Sequence, residues 1–333
     1  MTHKQPIQRT ISHYLESLFT HYAPQTVLAY SQALRLFAQL LQKQLAIHPT
    51  KASIDTLKLD WAYVYLHHLQ ETHSIETEHL YSRAILGFYQ YVETHIHSGF
   101  AGQADTLARY LAQNRRAKQH YAPTLPVAAI ETILAYVTTT STPREPDHNI
   151  SRDTLRLLRD KAFLLTLANT GLRVSEICLL RVEHINPTHH ILIPDTDLQL
   201  PLPSPVLAAV NAYLAARKPL DRLQHLFHAS HLPLFARHDK KAAKQILPIS
   251  RWTAANIVAY WTTAALSPDE YQELISSNCP ISPQTFRHYF VIATLQRTGN
   301  LHETQTLARH ADTATTRRYL TYTAQNTPPE SDD

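Results

Sequence analysis

Five glycines in 333 residues leave this chain few places where the backbone can turn through positive φ, and helical periodicity prevails along it. Tyr30, Leu34, Phe37 and Leu41 stand at i, i+4, i+7 and i+11, one apolar stripe of a helix for which Thr26, two residues after Pro24, is the expected N-cap. Further helices are expected over 60–72, with Asp60 as a possible cap, over 76–96 and over 104–113. Tyr81, Phe88 and Tyr91 form a stripe in the helix over 76–96, read as core rather than as a platform for stacking bases. Residues 115–123 are basic, poor in apolar side chains and end in Pro123, so they read as a connection between domains.

Beyond Leu125 a helix is expected over 126–137, then a polar loop over 138–152 and a long helix over 153–169 stopped by Gly171. Short strands are expected at 191–193 and 198–202, with Pro194, Asp195, Thr196 and Asp197 turning between them. Helices resume over 206–217 and 251–266. Ser282 as N-cap, Pro283 at the first helical position and Gly299 as the stop delimit another helix. In that helix Phe286, Phe290 and Ala293 share the core face, which leaves Arg287 to one side, expected to face a groove.

Composition narrows the class. A formal charge of +4 is only mildly basic, so binding to DNA requires a local basic surface rather than a global one. With Cys178 and Cys279 alone, neither a disulfide framework nor a cysteine zinc site is expected. No run approaches the length of a membrane span, and residues 1–10 lack a signal peptide's apolar core, so the expectation is a cytoplasmic protein with no membrane partner. The 22 histidines include His225, His228 and His231 at intervals of three, but no carboxylate or cysteine joins them at a metal-ligand spacing. They read as a histidine-rich surface, and no metal site is expected.

Four residues make a chemical set. Arg173 lies in Thr170-Gly171-Leu172-Arg173-Val174-Ser175-Glu176, and Arg287 lies in Pro283-Gln284-Thr285-Phe286-Arg287-His288-Tyr289. His310 precedes Tyr319 by nine residues, with Thr315 and Thr316 between. Guanidinium forks are planar, permanently charged and bidentate toward phosphate, and a phenol attacks a phosphodiester only when the developing charge is neutralised. The order and context of these residues resemble the tyrosine recombinase, or phage integrase, family, well over 125–325 and more faintly over 1–115.

The resemblance implies a mainly α fold with a small β-sheet. Residues 1–115 would form a helical core-binding domain on DNA, 116–124 a linker, 125–325 an α+β catalytic domain and 326–333 a disordered tail. It implies site-specific recombination of double-stranded DNA through a 3′-phosphotyrosine link, for integration, excision or resolution of a mobile element, with a homotetramer on synapsed sites and no cofactor. Arg173 and Arg287 would clamp the phosphate, Glu176 would hold the geometry around Arg173, His310 would hydrogen-bond a phosphate oxygen and Tyr319 would be the nucleophile, with Tyr322 as a fallback. Arg115, Arg116 and Lys118 in the linker would meet phosphates.

The chain departs from the family's pattern at three places. Gln284 stands where a histidine or lysine is usual, and Arg309 stands where glycine usually precedes the third-site histidine. The hairpin turn at 194–197 lacks the lysine that protonates the departing 5′ oxygen. Lys240, Lys241 and Lys244 are the candidate replacements and DNA contacts, with His190 as another possible acid. His288 is read as structural. Two other readings stay open, a catalytically impaired regulatory DNA-binding protein and a relaxing topoisomerase.

Overall fold

A computed structural model describes residues 5–96, 100–117, 125–143, 150–186, 190–194, 196, 198–222, 229–240, 242 and 245–320, and its packing divides the chain into two units, Met1–His120 and Tyr121–Asp333. The chain is mainly helical with one small sheet, as the sequence predicts. Lys118, Lys241, Lys244, His225, His228, Tyr322, the tail and parts of the linker, polar loop and hairpin turn lie outside the described residues.

In the first unit, α1 (Ile7–Leu18), α2 (Pro24–Gln44), α3 (Leu59–Thr72), α4 (Ile75–His95) and α5 (Gln103–Asn114) enclose one core. The α2 stripe is buried as its spacing predicts, Leu34, Phe37 and Leu41 completely. Thr26 does not cap it, because the helix already begins at Pro24, whose fixed φ suits a first turn. Likewise Asp60 lies inside the first turn of α3, and Lys58 precedes that helix. Phe88 is fully buried, and Tyr81 and Tyr91 pack partly buried against the same core. The hydroxyls of Tyr65 and Tyr89 donate to the carbonyls of Ala33 and Lys58, at 2.7 and 2.6 Å, so their polar ends are satisfied inside.

In the second unit the helices are α6 (Val127–Thr139), α7 (Arg152–Thr170), α8 (Val174–Leu179), α9 (Ser204–Asp221), α10 (Arg251–Ala265), α11 (Pro268–Ser276), α12 (Pro283–Thr298), α13 (Leu301–Ala308) and α14 (Thr313–Arg317). α7 is the central element, with Phe163, Leu164 and Leu167 fully buried, and it packs on both α9 and α12. Ser151 caps its start by accepting the Thr154 N–H at 3.1 Å. Between α8 and α9, β1 (Ile185–Asn186), β2 (His190–Leu192) and β3 (Gln199–Pro201) form an antiparallel sheet in that order, with Ile191 opposite both Ile185 and Leu200.

Around the first half of α7 lies a buried polar network. The Arg159 Nη2 sits 2.6 Å from Asp160 Oδ1, and Trp261 of α10 donates to Asp160 Oδ2 at 3.2 Å. Arg217 of α9, wholly buried, pairs with Asp221 at 2.8 Å and donates to the carbonyls of Pro233 and Leu234 at 2.8 and 3.0 Å. His238 meets the Tyr213 hydroxyl at 2.8 Å. Burial, then the charges of Arg159 and Arg217, lower its pKa to about 3, so it is neutral at ordinary pH. These bonds fasten α10 to α7 and the segment after residue 229 to α9, and Arg159 Nη1 ties that segment to α7 by donating to the Ala236 carbonyl at 3.2 Å.

Candidate active site

α7 ends at Gly171, whose φ of 57° is a left-handed conformation that a side chain disfavours. A Cβ at this position would also run into the Phe290 ring of α12. Close approach of α7 and α12 therefore requires glycine here, and it aims the Gly171 carbonyl at α12. Arg287, in the second turn of α12, donates Nη1 to that carbonyl at 2.5 Å and Nη2 to the Ala308 carbonyl at the end of α13. Its side chain is therefore buried at 3% exposure rather than facing a groove, because two backbone acceptors compensate the guanidinium for lost water. Burial, together with the positive charges of Arg173 and Arg309, lowers its pKa to about 10, which still leaves it charged at neutral pH.

Arg173 precedes α8. Its backbone N–H donates to Glu176 Oε2 at 2.7 Å, half of a capping box, and its Nη1 donates to Oε1 at 2.9 Å. The side chain remains half exposed and reaches the Arg309 carbonyl at 3.5 Å. Arg309 closes the cluster. It ends α13 in the left-handed region, φ 55°, at a cost of about 1 kcal/mol for a residue with a Cβ. Its Nη2 donates to the Gly171 carbonyl at 3.0 Å and to Glu176 Oε2 at 2.9 Å. Burial works to raise the Glu176 pKa, but the Arg173 N–H, the Arg309 charge and the Arg173 side chain outweigh it and hold the carboxyl below its usual range.

The turn after Arg309 presents His310. Its Nδ1 lies 2.9 Å from the hydroxyl of the buried Thr316, and its carbonyl accepts from Gln305 at 3.2 Å. Burial, followed by the charges of Arg287, Arg173, His288 and Arg309, lowers its pKa to about 4. A neutral ring accepting the Thr316 hydroxyl at Nδ1 carries its proton on Nε2, where it is a donor. Asp312 caps α14 by accepting the Ala314 N–H at 2.9 Å, and the chain then delivers Tyr319 into the apolar cluster of Phe290, Val291, Leu295 and Ala308. The phenol stacks on His310 with ring centroids 6.2 Å apart and planes 11° from parallel. Its hydroxyl hydrogen-bonds to Nδ1 of His288.

Arg173, Arg287, His310 and Tyr319, separated by up to 146 residues in sequence, are thus gathered at one place, with Arg309, Glu176 and His288 among them. The sequence offered Arg309 only as a residue standing where the family usually has glycine, and nothing in its spacing pointed to the His288 contact. Gln284 lies one turn before His288, its amide nitrogen 3.5 Å from the imidazole Nε2.

The basic residues are distributed differently. Lys240 is exposed two residues after His238, whose carbonyl accepts from Arg156 at 3.1 Å. Arg156 precedes Gly171 by fifteen residues, roughly 22 Å along α7. Lys240 is therefore anchored toward the end of α7 remote from Arg173, Arg287 and Arg309. Arg115 is exposed at the end of α5. Arg116, read as a linker residue meeting phosphate, is instead held inside the first unit. Its Nε lies 2.5 Å from Oε2 of the fully buried Glu78, its backbone N–H donates to Oε1 at 2.8 Å, and its Nη2 donates to the His73 carbonyl at 2.6 Å. The buried carboxylate needs that counter-charge. Among the described residues, no group of three or more His, Cys, Asp or Glu is placed to hold a metal ion, and no helix is long and apolar enough to cross a membrane.

Residues 148–326, more than half of the chain, match the Phage integrase family, and the chain belongs to that family. Tyrosine recombinase XerA of Pyrococcus furiosus is 28% identical over 174 residues, covering 51% of this chain and 52% of that protein. Tyrosine recombinase XerC of Pelobacter propionicus is 31% identical over 166 residues, 49% of this chain and 47% of its own. The chain thus spans about half the length of these curated relatives. A putative integrase/recombinase of Sinorhizobium fredii, y4rD, is 26% identical over 83% of this chain and 90% of its own. Among solved structures, XerH site-specific recombinase bound to palindromic difH substrate shares the fold with a TM-score of 0.63 at 13% identity, over 98% of this chain and 96% of that one. The Tn1549 transposon integrase in complex with transposon right end DNA does so with a TM-score of 0.57 at 16% identity, over 95% and 97%.

Proposed function

We propose that the protein is a site-specific DNA recombinase that breaks and rejoins strands through a 3′-phosphotyrosine intermediate, working in the cytoplasm on a mobile element. The observation that carries this reading is the convergence of Arg173, Arg287 and His310 on the Tyr319 phenol. Arg287 uses two of a guanidinium's five N–H donors on backbone carbonyls. The others, with those of Arg173 and the Nε2–H of His310, suit the non-bridging oxygens of a phosphodiester, whose charge grows as the phenol attacks. Each such donor aimed at a developing charge contributes on the order of 10²- to 10³-fold in rate.

Arg115, Lys118, Lys240, Lys241 and Lys244 are proposed contacts to the phosphate backbone of a DNA duplex, and a homotetramer on paired sites is the proposed working assembly. Residues 1–115 are proposed to bind DNA and 125–325 to cut it, with the connection between them beginning after Arg116.

The test is trapping on a nicked duplex that loses its 5′ product. The parent protein attaches covalently, Tyr319→Phe binds DNA without attaching, and Tyr322→Phe attaches. Attachment by Tyr319→Phe would overturn the assignment. A second reading, a catalytically impaired DNA-binding regulator on the same fold, is favoured by the 194–197 turn, which carries no basic residue to protonate the leaving oxygen. Binding of DNA by the parent with no attachment to any nicked duplex is the outcome that selects it.

A further inference from the structure

We propose that His288 is the general base of this site, the group that takes the phenolic proton of Tyr319 as its oxygen attacks phosphorus; this rests on the strand-cleavage reading above. Two imidazoles approach the phenol, and their geometries differ. His310 lies nearly parallel to the ring, at 11° with centroids 6.2 Å apart, and its Nδ1 is engaged by Thr316 rather than by the hydroxyl. His288 is tilted by 35°, with ring centroids 5.8 Å apart, and directs Nδ1 at the hydroxyl itself.

The other candidates are poorer bases or otherwise engaged. The arginines hold their protons at neutral pH. Glu176 is paired with both Arg173 and Arg309. Gln284 is an amide and accepts no proton at ordinary pH.

The surroundings of His288 fit a base. α12 contributes Arg287 beside it and Gln284 one turn before it, and the segments after α13 and α14 contribute His310 and Tyr319. Burial and then the Arg287 charge push the imidazole below its ordinary pKa, so it is neutral with a lone pair to offer. For that lone pair to lie on Nδ1, the ring proton must sit on Nε2. The Gln284 amide is 3.5 Å from Nε2, and a half-turn of the amide places its oxygen there to accept the Nε2–H. Gln284 is then a positioning residue that selects the tautomer.

The Tyr319 O–H bond breaks and its proton moves to His288 Nδ1. The phenolic oxygen bonds to phosphorus, the bond from phosphorus to the 5′ oxygen breaks, and the departing oxygen takes a proton from solvent water. In rejoining, the imidazolium returns its proton to the phenol as a 5′ hydroxyl attacks.

The experiment uses the full chain, the nicked duplex described above and two variants, His288→Ala and His288→Gln. Both are expected to bind DNA like the parent and to attach about 10²- to 10⁴-fold more slowly at neutral pH, the range for a lost general base. Their rates climb as alkali converts phenol to phenolate, and added imidazole accelerates His288→Ala but not the parent. A duplex with a 5′-bridging sulfur does not rescue them, because a better leaving group replaces an acid and not a base.

Variants that attach as fast as the parent would overturn the proposal. So would slow variants that ignore both pH and imidazole, which would reduce His288 to a structural role, and so would rescue by sulfur, which would make it an acid. A parent that never attaches overturns the strand-cleavage reading and this proposal with it. A parent that attaches, beside variants that match it, overturns this proposal alone.

Discussion

Arginines gather near both ends of α7, and the two groups are built by the same rules to different totals. Near its start, Arg159 is matched by Asp160 and Arg217 by Asp221, and both arginines also donate to carbonyls of the segment that follows α9. Past its end, Arg173, Arg287 and Arg309 gather around one carboxylate, Glu176. Backbone carbonyls make up the difference, Gly171 accepting from two of the three and Ala308 from one. A cluster with matched charges is complete by itself, and substituting one member leaves a buried charge exposed to nothing. A cluster with an excess of guanidinium is complete only with an anion present. Basic residues alone do not distinguish the candidate site from the matched cluster, whereas the local surplus over carboxylate does.

The matched cluster should break hardest. Asp160→Asn leaves Arg159 buried without its counter-charge and is expected to lower stability by about 3–5 kcal/mol, measured by chemical unfolding, with residual DNA cleavage falling only in step with the folded fraction. Arg173→Ala should do the reverse. Because its side chain is half exposed, unfolding should shift little, while covalent attachment to a nicked duplex falls by about 10²- to 10³-fold. If Arg173→Ala unfolds the protein and Asp160→Asn only slows cleavage, the contrast between the two ends is mistaken.

A gentler probe is acid. The pKa of His238 is lowered to about 3, so between its unfolded value near 6.5 and that point the unfolded chain binds a proton that the folded one refuses. Stability is therefore full above pH 6.5 and falls as the pH drops, by up to about 1.4 kcal/mol per unit from this one group. His310, lowered to about 4, adds a slope of the same sign. Unfolding curves of His238→Gln should show a visibly shallower loss toward acid than the parent.

The smallest effect is at Arg115 of the first unit. Arg115→Ala should weaken binding to all sequences alike and reduce the salt slope by about 0.9. Arg116→Ala should mainly loosen the unit by exposing Glu78 to an empty counter-charge position.

What could be read in the sequence was what depends on neighbours in the chain. The α2 stripe, the Ser282 and Gly299 boundaries of α12 and the Gly171 stop are local signals, and local backbone chemistry produced them. α1 carries the same kind of signal, with Ile7, Ile11, Tyr14 and Leu18 buried at the spacing of the α2 stripe. α8 and α13 offered little to read. They have six and eight residues, too short to be stable alone, and they exist because their surroundings fix them. Of the residues gathered at the candidate site, type and order pointed to Arg173, Arg287, His310 and Tyr319. The inward turn of Arg287, the Arg116 bond to Glu78 and the His288 bond to Tyr319 each join residues more than thirty positions or a whole helix apart, and no periodicity encodes them.

The Gly171 carbonyl that accepts from both Arg287 and Arg309 lies one residue past the nineteen-residue column of α7, beside its C-terminal end. Peptide dipoles aligned along such a column leave a partial negative charge of roughly half a unit at its C-terminal end. α7 therefore steadies the guanidiniums with a diffuse charge that belongs to the backbone. An additional carboxylate would bind them more tightly and would then compete with any anion arriving from outside. A helix end holds the arginines in place and leaves most of their positive charge available to that visitor, at a position no side chain can vacate.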